Sequence, residues 1–146
     1  LSESVIENTQ VKGFRADEKL TELIEKEQRN AFFYYMLAKK APTPQSSKTL
    51  LLLAAEESNH AQGLLASYYL ITGLKYIMNK KYNDMHIPFF QPALRAMFHN
   101  ELKDASDYVS LANLSNDASL KELFLRFADE EKQHAAWLRE LLSGLM

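Results

Sequence analysis

Apolar residues recur three and four positions apart in four long stretches of this chain, the spacing of helices that bury one face. The first stretch runs from Asp17, read as its N-cap, to about Lys40, where Pro42 and Pro44 stop it. Its inward stripe is Leu20, Leu23, Ile24, Glu27, Ala31, Tyr34 and Ala38. The second, capped by Ser46 or Ser47, continues to about Gly73 with Leu50, Leu53, Glu57, His60, Leu64 and Ile71 on one face. From Leu74 to Phe90 the pattern breaks, and Asn83-Asp84 and Pro88 signal a loop. The third helix begins at Pro92, ends near Ser115 and aligns Leu94, Met97, Phe98, Glu101, Ala105, Tyr108, Leu111 and Ala112. After a turn at Asn116-Asp117, Ser119-Leu120-Lys121-Glu122 has capping-box spacing and opens the fourth, which reaches about Ser143. Its apolar positions are Leu120, Phe124, Phe127, Leu138 and Leu141, and Glu131 and His134 lie on the same face. Residues 1–16 have little period beyond a short helix ending at Gly13 and read as an N-terminal extension. The expected fold is all-α: one domain over 1–146, an antiparallel four-helix bundle with a long crossover between helices two and three.

Each inward stripe carries a glutamate. Three residues turn a helix by about 300°, so Glu131 and His134 stand side by side, one turn apart, as do Glu57 and His60. Burying a carboxylate without a partner costs several kcal/mol, and a metal ion is one such partner. The two halves also repeat. A shift of 74 carries Leu20 onto Leu94, Glu27 onto Glu101, Tyr34 onto Tyr108, Leu37 onto Leu111 and Ala38 onto Ala112. The same shift carries Glu57 onto Glu131, His60 onto His134, Ala61 onto Ala135 and Leu64 onto Leu138. Glu101 lies about 14 residues before its turn and Glu131 about 12 after it, so an antiparallel hairpin brings the two to within roughly 3 Å of one level. Two such hairpins about a pseudo-twofold axis assemble four carboxylates and two imidazoles, and four negative charges balance two divalent cations.

Composition narrows the classes. The hydrophobic fraction of 47% and charged fraction of 25% are those of an ordinary globular domain. With 17 Lys and Arg against 19 Asp and Glu and no basic cluster, neither nucleic acid nor an anionic membrane is an expected partner. The absence of cysteine excludes disulfides, Cys-ligated zinc and iron–sulfur clusters. The longest apolar run, about Leu50 to Ala55, falls short of a membrane span, and no signal-peptide core stands near residue 1, so the expected compartment is the cytoplasm.

This arrangement resembles the ferritin-like di-iron carboxylate proteins, in which two helices each give a Glu and two give Glu-x-x-His. It is most similar to the rubrerythrin-type branch, through Glu27-Gln28-Arg29-Asn30-Ala31-Phe32-Phe33-Tyr34 and Glu131-Lys132-Gln133-His134-Ala135, and the likeness covers roughly residues 17 to 143. The resemblance implies Glu27, Glu57, His60, Glu101, Glu131 and His134 as ligands of two Fe ions, or of Mn, with Glu57 and Glu131 bridging. Tyr34 and Tyr108 match family tyrosines that hydrogen-bond beside the ligands and are the candidate catalytic residues. Typical rubrerythrins add a Cys-ligated rubredoxin iron site, which a chain without Cys lacks, so a separate electron-donor protein is expected. They also carry a further glutamate one turn beyond the third-helix ligand, where this chain has Asp104.

The function expected from the resemblance is an oxidoreductase, a peroxidase or oxidase of oxidative stress that reduces hydrogen peroxide or dioxygen, acting as a homodimer. Two other readings stand beside it: ferritin-type iron oxidation and storage, and a metal-free scaffold whose buried carboxylates are protonated or paired with His. Glu56 and Glu130 lie about 100° round the helix from their neighbouring ligands and are expected to be solvated. His86 and His99 are expected at the surface. The crossover permits hairpin pairing within one chain or exchange between protomers.

Overall fold

The computed structural model describes residues 16–78, 82 and 85–146, and four helices make up almost all of them: α1 (Ala16–Ala38), α2 (Pro44–Thr72), α3 (Phe90–Leu114) and α4 (Ala118–Ser143). Helices α1 and α2 form one hairpin, α3 and α4 the other, and α2 also packs on α4. Both hairpins belong to the same chain, the first of the two pairings the crossover permits. The expected helix ending at Gly13 lies outside the described residues.

Two apolar clusters show how the hairpins stack. One gathers the start of α1, the end of α2, the end of α3 and the start of α4, through Leu20, Ile24, Leu64, Tyr108, Leu111, Phe124 and Phe127. The other gathers the opposite ends, through Leu37, Leu50, Leu53, Leu94, Met97 and Leu138. Helices α2 and α3 therefore run in the same direction, and the connection between them must travel the length of the bundle. It does so: Tyr76 and Met78 pack on the first cluster, the Tyr82 ring stacks on Phe32 at 5.3 Å, and Ile87 reaches the second. An all-α, ferritin-like four-helix bundle with a long crossover is the observed fold. The polar centre lies between the two apolar clusters.

Helix ends differ in detail from the expectation. Helix α1 starts at Ala16, so Asp17 sits in its first turn, where a carboxylate still favours the helix dipole. It ends at Ala38, two residues before Lys40, and closes in tight turns from Lys39 and Lys40 back to Met36 and Leu37. Thr43, not Ser46 or Ser47, caps α2: its hydroxyl accepts from Ser46 N at 3.1 Å and Ser46 returns the bond to Thr43 N, with Pro44 at the first helical position. Helix α3 begins at Phe90, placing Pro92 at its third position, where the missing N–H still has no intrahelical acceptor to satisfy. Asp117, not Ser119, caps α4, since its side chain accepts from Leu120 N at 2.9 Å. Gly73 closes α2 in the left-handed region at φ 74°.

Candidate metal centre

Every glutamate on an inward stripe is buried: Glu27, Glu57, Glu101 and Glu131 all have no exposed surface. His60 and His134 are buried with them. These six side chains form two groups, Glu27–Glu57–His60–Glu131 and Glu57–Glu101–Glu131–His134, each with donor atoms within 4.8 Å of one another. Glu57 and Glu131 belong to both groups. Metal bonds of about 2.0–2.2 Å require donors only slightly closer than this.

The imidazoles point the same edge inward. His60 Nδ1 lies 3.1 Å from Glu131 Oε1 and 3.3 Å from Glu27 Oε2. His134 Nδ1 lies 2.7 Å from Glu57 Oε1 and 3.3 Å from both Glu101 Oε2 and Glu131 Oε1. On the outer edge, His60 Nε2 meets Glu130 Oε2 at 3.3 Å and His134 Nε2 meets Glu56 Oε1 at 2.9 Å. The two tyrosines cross between hairpins: Tyr34 OH donates to Glu101 Oε1 and Tyr108 OH to Glu27 Oε1, each at 2.7 Å. These contacts map onto one another under the 74-residue shift, except that His134 Nδ1–Glu131 Oε1 at 3.3 Å has as its counterpart a longer His60 Nδ1–Glu57 Oε1 approach of 4.0 Å. The pseudo-twofold axis inferred from sequence is thus closely followed.

Glu56 and Glu130 correct the expectation that they are solvated. A rotation of 100° from a buried ligand does not reach solvent in a tight bundle; it reaches the ring of the facing helix, and both carboxylates are partly buried against it. His86 and His99 are exposed, as expected. Asp104 is buried but lies outside both ligand groups, held by Lys26 Nζ at 3.3 Å and Asn30 Nδ2 at 3.4 Å. Lys26, Asn30 and Asp104 carried no repeat signal. The 74-residue shift sets Lys26 against Asn100 and Asn30 against Asp104, so it pairs unlike residues there.

So many charges in a dry core must share protons when no metal is bound. Burial opposes charging His60, but the carboxylates of Glu131 and Glu27 raise it to about 10. His134, opposed by burial in the same way, is raised to about 11 by Glu101 and Glu131. Burial, then the charge of Glu27, pushes Glu57 well above the usual carboxylate range, while Glu101 rises to about 7, chiefly through burial. Burial pushes Glu131 upward, yet the facing imidazoles hold it far below its ordinary value. Both tyrosines are driven well above 10, first by burial and then by the carboxylates they face, so each remains a hydrogen-bond donor.

The donor set fits a dinuclear divalent centre. Among the described residues, seven buried side-chain atoms have no aligned hydrogen-bond partner; six of them, Glu27 Oε2, both oxygens of Glu57 and Glu131, and His60 Nδ1, face this one point. Buried polar atoms are ordinarily satisfied, and a cation would satisfy all six at once.

The family model described as Rubrerythrin matches residues 92–146, the hairpin of α3 and α4. No curated protein and no solved structure matches the chain. No helix among the described residues is long and apolar enough to cross a membrane.

Proposed function

We propose that this chain, a ferritin-like domain of the rubrerythrin type, is a di-iron or di-manganese oxidoreductase that reduces hydrogen peroxide or dioxygen. The observation that carries the reading is the pair of four-ligand groups sharing Glu57 and Glu131. Oxygen and nitrogen donors without thiolate suit Fe or Mn, and zinc, which fits such donors, has no redox chemistry. A pair of redox metals held here supplies together the two electrons that cleavage of an O–O bond consumes.

The protein's own part is positional. Glu27 and Glu101 would each hold one metal, and Glu57 and Glu131, which belong to both groups, would hold both. Tyr108 and Tyr34 fix the free oxygens of Glu27 and Glu101 by donating to them. Glu130 and Glu56 accept from the Nε2 edges of His60 and His134, which selects the tautomer whose Nδ1 lone pair points into the centre. Asp104, raised to about 6 by burial against the pull of Lys26, is the acid that can take up or release a proton near neutral pH beside the centre. The apolar clusters above and below exclude bulk water. Electrons come from a separate donor protein, and the working assembly is a homodimer.

The test is metal analysis of protein purified without chelator, followed by anaerobic loading with Fe(II) and stopped-flow mixing with peroxide or with dioxygen. Two metals per chain and rapid peroxide oxidation support the proposal. Sluggish peroxide oxidation beside fast aerobic iron uptake, with a many-subunit cage on sedimentation, would replace it with storage. Failure to bind Fe or Mn would leave only the scaffold.

A further inference from the structure

The repeat breaks at one place near the centre, and the break carries charge. Immediately before Glu27 stands Lys26, and the equivalent position before Glu101 is the neutral Asn100. The Lys26 side chain is largely buried, with its Nζ 3.8 Å from Glu27 Oε1 and 3.3 Å from Asp104 Oδ1, and it lies over the Tyr108 ring at 4.7 Å. Asn30 closes the group on Asp104. Lys26, Arg29, Asn30, Asn100, Lys103 and Asp104 line a cleft of about 420 Å³ in this part of the molecule. Among the described residues, no ammonium or guanidinium is paired with Glu101, whose contacts are Tyr34 and His134.

We infer that Lys26 is an internal cation that competes with metal for Glu27, making the two metal positions unequal: the Glu101–His134 position fills first and tightly, and the Glu27–His60 position is the weaker, exchangeable one. The inference rests on the dinuclear reading above. The physical reason is direct. A fixed positive charge 3.8 Å from one oxygen of a ligand carboxylate lowers that carboxylate's affinity for a second cation, and a low effective dielectric strengthens the effect. Asp104, 3.3 Å from Lys26 Nζ and also unmatched in the repeat, offsets part of this charge. The remaining determinants match: Glu57 and Glu131 are common to both groups, each terminal glutamate accepts one tyrosine hydroxyl, and each imidazole is held by one outer glutamate. Lys26 and Asp104 also line the cleft, so this charged pair is what separates Glu27 from it.

The experiment must separate this effect from repulsion between two bound ions, which would make the second step weak even at identical positions. Two single-position proteins do so. Glu101→Gln leaves the Glu27–His60 position, and Glu27→Gln leaves the Glu101–His134 position. Each is titrated anaerobically with Co(II), read by d–d absorption and calorimetry, with circular dichroism to check that the fold is kept. The Glu27→Gln protein is expected to bind one Co(II) at least about tenfold more tightly than the Glu101→Gln protein. Adding Lys26→Met, or Lys26→Gln if the first is poorly folded, should tighten binding at least about tenfold in the Glu101→Gln background and less than about twofold in the other. Lys26→Arg, which keeps the charge, should leave both within about twofold. Equal affinities in the two backgrounds, or an equal effect of Lys26→Met in both, would overturn the inference while leaving a dinuclear centre intact. Failure of the wild-type protein to bind Co(II) would remove the dinuclear reading and this inference together.

Discussion

Glu57 and Glu131 are equivalent in the repeat, yet the structure implies unequal consequences for replacing each by glutamine in the metal-free protein. Both are fully buried. Burial, then the charge of Glu27, raises the Glu57 carboxyl well above the usual carboxylate range and so favours its neutral form. Glu131 sits between two imidazoles, 3.1 Å from His60 Nδ1 and 3.3 Å from His134 Nδ1, and their protonated forms keep it ionised in spite of its burial. Glu57→Gln therefore replaces a neutral acid with a neutral amide of the same shape and should change stability by less than about 1 kcal/mol. Glu131→Gln removes the anion that two buried cations share, which costs about 3–5 kcal/mol. In a chain of this size about 1 kcal/mol moves the melting temperature by roughly 2–4 °C, so the expected loss is about 6–20 °C for Glu131→Gln and under about 4 °C for Glu57→Gln. Scanning calorimetry in chelator reads the difference directly. With Mn(II) added at about a hundred times its dissociation constant, the wild type gains about 2.7 kcal/mol, and both variants should lose most of that gain. Equal losses in chelator, or a stabilised Glu131→Gln, would refute the assigned protonation pattern. A gain for both variants would favour the scaffold, in which the carboxylates merely repel.

Other expectations follow from the same geometry. The stability that His60 and His134 add to the metal-free protein is complete below about pH 6.5 and lost as pH rises through about 10 and 11, and Glu101, raised to about 7, acts in the same direction. Glu27 and Glu131, held low, lose their contribution only as pH falls below 4.5. Urea midpoints in chelator should fall between pH 6 and 9 while the increment from added metal grows, because the ligands shed protons on binding; a flat profile would contradict this. Glu56→Gln and Glu130→Gln should each weaken metal binding about 10–100-fold with the fold unchanged, as equilibrium dialysis would show. Gly73→Ala forces a Cβ into the left-handed region at φ 74° and should cost roughly 1–2 kcal/mol, measured by urea unfolding.

The fold and the six-residue centre could be read from sequence because both depend on periodicities. A glutamate at a core position of a 3.6-residue pattern contradicts its neighbours unless something inside compensates it, and a second copy 74 residues on says that the compensation is built twice. Helix ends were less legible, since Thr43, Ser46 and Ser47 all look like caps and only the backbone path decides which hydroxyl meets an orphan N–H. Glu56 and Glu130 were missed for a related reason: angle round one helix says which side faces outward, but not how close the next helix stands. The signal that could have found them was their presence in both halves, each directly before a ligand. Lys26 escaped for the opposite reason, and with it the pairing of Asp104, which the sequence marked only as a departure from the family pattern. Searching for self-similarity discards the positions where two halves differ, and here the difference lies against the centre. A pseudo-symmetric bundle with identical halves would hold two identical ions. On the inference drawn above, the unmatched lysine would let one half retain its metal while the other exchanges it, a difference that two identical halves could not produce.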